Sequence, residues 1–239
     1  MVANQKRYRM LPLPLVAVAT VVLLALGSWQ VQRLQWKTAA IETIKKHSAE
    51  EPLTLDCDKV YQDVGSMQFR PARVTGVFNP QQVLYLYAGP YKFKGQQGYR
   101  VFSPITCSAQ GLKLLVDLGW VPTELRNKPE EFMPKGEVTI TGSIMLGESP
   151  RLFTPNNRPD KNLWLWIDMQ AFRKELGQEL PEFFVMRSFV DNNYPLGKNV
   201  TPKLRNDHLG YAITWYGLAL ALILLVCYQR SWWPFQRNT

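Results

Sequence analysis

Residues 10–29 read MLPLPLVAVATVVLLALGSW, twenty positions without one charged side chain. At 1.5 Å rise per residue, about 20 apolar residues cross a hydrocarbon core roughly 30 Å thick. Ten of the twenty are Leu or Val. Each is worth about −0.3 to −0.6 kcal/mol on insertion scales, so together they favour insertion by roughly 3–6 kcal/mol. Pro12 and Pro14 fall in the first turn, where missing amide donors cost little. A core helix of a soluble protein is rarely so long and so free of charge. A cleaved signal peptide has a shorter apolar core and ends in small residues, whereas this run ends in Gly-Ser-Trp-Gln. The segment therefore reads as an uncleaved membrane anchor. A second run, LGYAITWYGLALALILLVCY at residues 209–228, is equally uncharged and reads the same way.

Charge sets the expected orientation. Lys6, Arg7 and Arg9 precede the first run, and Arg230 and Arg237 follow the second. Positive flanks stay inside, and a long translocated loop escapes the rule largely regardless of its own charge. The expected layout is a cytoplasmic tail at residues 1–9, a transmembrane helix at 10–30, a periplasmic domain at 31–207, a transmembrane helix at 208–228 and a cytoplasmic tail at 229–239. The membrane flanks explain part of the formal charge of +9. No concentrated basic patch or motif points to nucleic acid. Cys57 and Cys107 lie in the external loop, where a disulfide could persist, but sequence alone sets no distance between them. Cys227 lies in the second span. The absence of Cys-x-x-Cys and Cys-x-x-Cys-His removes support for a thioredoxin-type site or covalent c-type haem.

Helix formers carry the first helix beyond the membrane, with no breaker until Pro52. Short β-branched and aromatic runs cut by Gly, Pro and Asn then follow. They predict strands at Phe69–Phe78, Val83–Ala88, Tyr99–Thr106, Leu112–Trp120, Glu137–Ile144, Leu163–Asp168 and Phe183–Ser188, with a short helix at Met169–Leu176. The fold class expected is a membrane α+β protein: two transmembrane helices, one at each end, flanking a mainly antiparallel β extracytoplasmic domain, a sandwich or small barrel. The chain has only two histidines, His47 and His208, and no Gly-x-Ser-x-Gly, phosphate loop or His-Glu-x-x-His. Its carboxylates are scattered. Binding or assembly is favoured over catalysis.

The chemistry-bearing residues gather at the two membrane exits. Trp29, Arg33, Trp36 and Lys37 fall at i, i+4, i+7 and i+8, one stripe of the first helix. His208, Tyr211, Ala212 and Trp215 fall at i, i+3, i+4 and i+7 of the second. Antiparallel helices would set both stripes at similar depth, offering aromatic walls, basic side chains at the rim and one imidazole. Aromatic residues are also enriched at any membrane interface, long cations snorkel there, and a lone His at a helix start can simply cap it. Spacing alone leaves both readings open.

The same residues resemble a family. Gly27-Ser-Trp-Gln-Val-Gln-Arg-Leu-Gln-Trp-Lys37 is similar to the G-x-W-Q-x-x-R-x-x-W-K segment of the SURF1/Shy1 proteins, and Asn206-Asp-His-Leu-Gly-Tyr-Ala-Ile-Thr-Trp-Tyr216 to their N-x-H-L-x-Y-A-x-T-W-[FY] segment. Arg73-Val-Thr-Gly-Val-Phe78, Gly98-Tyr99 with Pro104, Leu115-Val-Asp-Leu-Gly-Trp-Val-Pro122 and Phe153-Thr-Pro-Asn156 match family blocks in order. The resemblance covers nearly the whole chain. Two positions depart from it: Leu118 stands where the family usually carries Arg, and Gly210 where Gln is commoner. The resemblance implies a non-enzymatic assembly factor for haem-copper cytochrome c oxidase, binding haem a and assisting its delivery to the catalytic subunit. Haem a synthase is a second partner it admits. The implied ligand of the haem iron is His208, with Trp29, Trp36, Tyr211 and Trp215 around the ring and Arg33, Lys37 or Arg205 for the propionates. The short stretch before the first helix favours a bacterial inner membrane over a mitochondrial one. The alternative is a scaffold for oxidase subunits that works through its periplasmic domain and binds no haem.

Overall fold

The computed structural model describes residues 12–89, 95–107, 111, 113–150, 152–177, 180–188, 193–197 and 206–236. They fall into two compact units, one within Met1–Glu42 and Lys203–Thr239, the other within Thr43–Pro202. The helical unit holds α1, Leu13–Ser48, up to residue 42, and α4, His208–Gln236. Both helices are long and apolar enough to cross a membrane, with mean hydropathy 1.9 and 2.0 over their apolar windows. Only 17% of the residues in each window are buried within the structure. A core helix of a soluble protein would be mostly buried, so the exposed apolar surface needs another cover, and lipid supplies one.

The β unit is built from β1 (Leu53–Thr54), β2 (Pro71–Phe78), β3 (Leu84–Ala88), β4 (Gly98–Thr106), β5 (Lys113–Pro122), β6 (Glu137–Leu146) and β7 (Phe183–Arg187), with short helices α2 (Pro129–Phe132) and α3 (Met169–Leu176). The sheet order is β1-β2-β6-β7-β5-β4-β3, and β2 also pairs with β4. That extra pairing closes β2, β6, β7, β5 and β4 into a ring. Five of the strand pairings are antiparallel; β1–β2 and β5–β7 are parallel. The sheet is therefore mixed.

Burial follows the residue pattern of each strand. Along β2 buried and exposed positions alternate, with Ala72, Val74 and Phe78 inside. By contrast β5 is buried at every position from Leu114 to Val121, because it is covered on both faces. Its Leu114, Val116, Leu118 and Val121 join one apolar cluster with Val74, Val101, Ile144 and Val185. Its Leu115 joins a second with Phe102, Trp164, Phe172 and Phe184. The second cluster exists because α3 packs there: Phe172 meets Trp164 at 4.6 Å and Phe102 at 5.4 Å between ring centroids. Asp168 caps α3 by accepting from the Ala171 amide at 3.0 Å, and Gly177 ends it in the left-handed region.

The register of β4 on β5 skips Leu118: Val101 pairs with Gly119 and Phe102 with Asp117. Leu118 is the extra residue of a bulge and is fully buried in the first cluster. The apolar side chain at this departure from the family pattern thus sits in a wholly apolar place. Gly119, at φ +123°, has the main chain of Leu196 against it where a side chain would stand. Cys57 and Cys107 are paired, with Cα atoms 5.7 Å apart, joining the segment after β1 to the end of β4. The sequence had left that pairing open.

Six of the seven expected strands are present within about two residues, and the helix at Met169–Leu176 matches to the residue. Leu112 lies outside the described residues. The seventh expectation, Leu163–Asp168, is corrected. Leu163 and Trp164 make only isolated bridges, to Arg158 and Leu86. The amides of Leu165 and Trp166 donate to the Asn157 side chain at 2.8 and 3.3 Å, so a side-chain amide stands where a partner strand would.

Candidate functional site

Within the helical unit the two helices meet along one stripe each. On α1 the buried positions are Val16, Gly27 and Gln30, with Leu23 and Leu34 half-buried. On α4 they are Ala212 and Ala219, with His208, Trp215, Leu222 and Val226 half-buried. Helices in lipid gain little from apolar contact and associate through small residues and interhelical hydrogen bonds. Gly27 lies close against α4: a methyl group there would come within 2.8 Å of Cε1 of Tyr216.

Polar rungs join the helices. The Ser28 hydroxyl lies 3.1 Å from the Tyr216 hydroxyl. Ser28 donates its own proton to the Leu24 carbonyl at 2.9 Å, so Tyr216 is the donor to Ser28. Gln30 Oε1 lies 2.7 Å from Nδ1 of His208. The Asn206 amide donates to the Thr38 hydroxyl at 3.3 Å, while its Oδ1 is buried without a partner. Since 28 pairs with 216 and 38 with 206, the helices are antiparallel.

The expected site residues divide between two faces. His208, Ala212 and Trp215 share the side of α4 turned to α1, and Tyr211 is 57% exposed. On α1, Arg33 lies between Trp29 and Trp36, its guanidinium carbon 5.8 and 5.4 Å from their ring centroids. Both indoles are about half exposed or more. At 100° per residue, Gln30 is about 100° round the helix from Trp29 and Gly27 about 160°. The structure therefore brings His208 to Gln30 and sets the Trp29–Arg33–Trp36 ladder on another face; Lys37 is half-buried between the two. Arg205 lies outside the described residues.

Gln30, Gly27, Ser28, Thr38, Asn206 and Tyr216 were not singled out from sequence. Their signal was available: a glycine and an amide three residues apart in a long apolar helix mark a contact face. His47 has a different setting, in the β unit. Its Nδ1 bonds the Gln68 carbonyl at 2.9 Å, and Glu50 pairs with Arg70 nearby at 3.2 Å, so it ties the end of α1 to the turn before β2.

Two features of the β unit bear on binding. Tyr85, Tyr87 and Tyr99 stack edge to face beside Arg126, whose guanidinium carbon is 4.7 Å from the Tyr99 ring centroid. Burial pushes the Tyr85 hydroxyl up to about 12; Arg126 opposes the rise and Glu130 adds to it. Burial also raises Tyr61. Elsewhere an open groove of about 510 Å³ is lined by Glu148, Ser149, Thr154, Leu165 and Trp166, with Leu152 and Phe153 almost fully exposed beside it in sequence. Among the described residues no group of three or more His, Cys, Asp or Glu could hold a metal ion. A haem iron, which needs only one or two protein ligands, is untouched by that.

The model of the SURF1 family matches residues 17–220. That span takes in Gly27, Gln30, His208 and Trp215 of the two stripes and the whole β unit. Surfeit locus protein 1 of Xenopus tropicalis is 33% identical, over 89% of this chain and 73% of its own length. The human protein of the same name is 31% identical, over 82% and 70%. A SURF1-like protein of Rickettsia conorii is 29% identical, over 91% of each chain.

Proposed function

The chain belongs to the SURF1 family, and on that premise we propose that it is an assembly factor for haem-copper cytochrome c oxidase in a bacterial inner membrane. In this reading both termini are cytoplasmic, the β unit is periplasmic, and haem a is cargo held through His208 for the oxidase's catalytic subunit. The observation that carries the reading is the setting of His208. It is the first residue of α4, half-buried on the face turned to α1, with Nδ1 engaged by Gln30. Neutral imidazole is a haem iron ligand, and the described residues leave Nε2 without a hydrogen bond. Trp215 lies about two turns further along the same face of α4. Arg33 and Lys37 supply positive charge for the propionates, with Trp29 and Trp36 holding the guanidinium in place rather than stacking on the ring. Haem a synthase is a further partner in this proposal.

The test is a visible spectrum of the protein purified from cells that make haem a. His208→Ala and His208→Asn should both lose the haem signal and lower oxidase activity, with the protein still in the membrane. His47→Ala should change neither. A role limited to capping α4, worth about 1 kcal/mol, would survive His208→Asn, because Asn caps well. A haem-replete His208→Asn protein that still supports the oxidase refutes the proposal.

A second reading rests on the exposed Leu152 and Phe153. Phe153 is 93% exposed at φ +69°, a conformation that bulky residues rarely adopt without constraint. A scaffold for oxidase subunits would use such a surface. Under this reading Phe153→Ser, and not His208→Asn, abolishes oxidase assembly.

A further inference from the structure

An imidazole is a metal ligand only through a nitrogen that carries a lone pair, and a neutral ring has one such nitrogen. Which nitrogen it is depends on the partner of the other. In free histidine the proton favours Nε2, leaving Nδ1, crowded by the main chain, as the lone-pair site. Here the closest partner of Nδ1 is Oε1 of Gln30, at 2.7 Å. An amide oxygen only accepts, so Nδ1 must carry the proton. Gln30 is itself 8% exposed, on the stripe that α1 turns to α4, and packing holds its amide there.

We infer that Gln30 is a positioning residue: it locks His208 in the Nδ1–H tautomer and so presents the Nε2 lone pair to an incoming metal centre. That the metal centre is the iron of haem a rests on the function proposed above; the tautomer does not. A histidine ligand whose second nitrogen is held in this way gains both orientation and basicity. Loss of such an outer partner typically costs roughly 10–100-fold in affinity. A structural role for Gln30, as one more rung between helices, requires neither effect.

His47 serves as an internal control. Its Nδ1 donates to a main-chain carbonyl, so it is held in the same tautomer by a partner no side-chain substitution removes.

The experiment uses the full chain in detergent micelles with ¹⁵N-labelled histidine. Nitrogen chemical shifts read the tautomer of each ring before any haem is added, and His47→Ala assigns the two signals. The wild type should show Nδ1–H at both. Gln30→Leu, which keeps the bulk and removes the acceptor, should return His208 to Nε2–H while His47 is unmoved. Gln30→Glu, which keeps an oxygen in place, should retain Nδ1–H at His208. Titration with haem a should then show roughly 10–100-fold weaker binding for Gln30→Leu and recovery in Gln30→Glu. An Nε2–H signal for wild-type His208 overturns the inference, and so does an Nδ1–H signal that survives Gln30→Leu. A switched tautomer with unchanged haem a affinity overturns the coupling between the two. If the wild type binds no haem a at all, the haem proposal falls, and the tautomer measurement still decides the role of Gln30.

Discussion

Gly27→Ala adds a single methyl group where α1 meets the Tyr216 ring. That carbon would lie 2.8, 2.9 and 3.0 Å from Cε1, Cζ and Cδ1 of Tyr216. Carbon atoms in contact prefer about 3.5–4.0 Å, so the ring must retreat by roughly 1 Å. The ring carries the hydroxyl that donates to Ser28 at 3.1 Å, and a displacement of that size breaks the bond. Overpacking of this kind costs about 1–3 kcal/mol, and an interhelical hydrogen bond in a membrane averages about 0.6 kcal/mol. Ala is the better helix former by about 1 kcal/mol, which offsets part of the loss. The expected result is a net destabilisation of the helix pair of about 1–2 kcal/mol. With Tyr216→Ala already in place, the clash and the bond are both gone, and Gly27→Ala should become stabilising by up to about 1 kcal/mol. The sign reversal is the test. Pairing can be read by energy transfer between probes on the two chain termini as a denaturing detergent is titrated into mixed micelles. If the two substitutions add within about 0.3–0.5 kcal/mol, Gly27 and Tyr216 are not in contact and the packing described for the pair is wrong.

Three further outcomes are expected. A reporter active only in the periplasm should be silent when fused after Thr239 and active when inserted at Asn127–Lys128; the opposite pattern reverses the orientation. Mass spectrometry under non-reducing conditions should find the Cys57 and Cys107 peptides linked. Reduction should cost about 4 kcal/mol, the value for a closed loop of this length, whereas two free thiols after rapid alkylation would refute the pairing. Tyr85 holds its proton more tightly folded, at about 12, than at its ordinary value of 10.0. Its contribution is therefore complete below pH 10 and lost as pH rises towards 12. Thermal melts of Tyr85→Phe should lose stability less steeply over that interval than the wild type, and parallel losses would contradict the assignment.

The elements were legible wherever a local pattern decides them. Absence of charge over twenty residues marks α1 and α4, and Asp168 and Gly177 bracket α3 as cap and stop. Strands such as β2 alternate visibly. What escaped has physical causes. The two residues of β1 are too few to show a period, and the parallel pairing of β5 with β7 joins residues about 70 apart, as in Leu115 with Phe184. The run Leu163–Asp168 has strand composition, yet Asn157 takes its amides. At the candidate site, periodicity identified the stripe of α4 that faces α1, but on α1 it picked a stripe beside the one that faces α4. The aromatic and basic face of α1 carries the more conspicuous chemistry, and in a soluble protein its large apolar residues would be the buried ones. In lipid that rule weakens, and small and polar residues turn inward. Gly27 and Gln30 lie inside while Trp29 and Trp36 lie out.

The distribution of contacts along the helix pair has a consequence for His208. The Ser28, Gln30 and Thr38 rungs join α1 to Tyr216 and His208 of α4 and to Asn206 just before it. The other half of the contact stripe carries Val16, Leu23, Ala219, Leu222 and Val226, all apolar. Packing between apolar helices in lipid resists separation weakly, because lipid chains replace the contacts almost equally well. The polar contacts at Ser28, Gln30 and Thr38 thus gather at the end from which the chain runs into the β unit. His208 stands between the Tyr216 rung and the Asn206 rung, so a polar contact on each side steadies it. Substitutions at Ala219 or Leu222 should therefore loosen the pair while leaving the His208–Gln30 contact in place. Loss of the Ser28–Tyr216 rung, two residues from Gln30 on α1, should disturb that contact first.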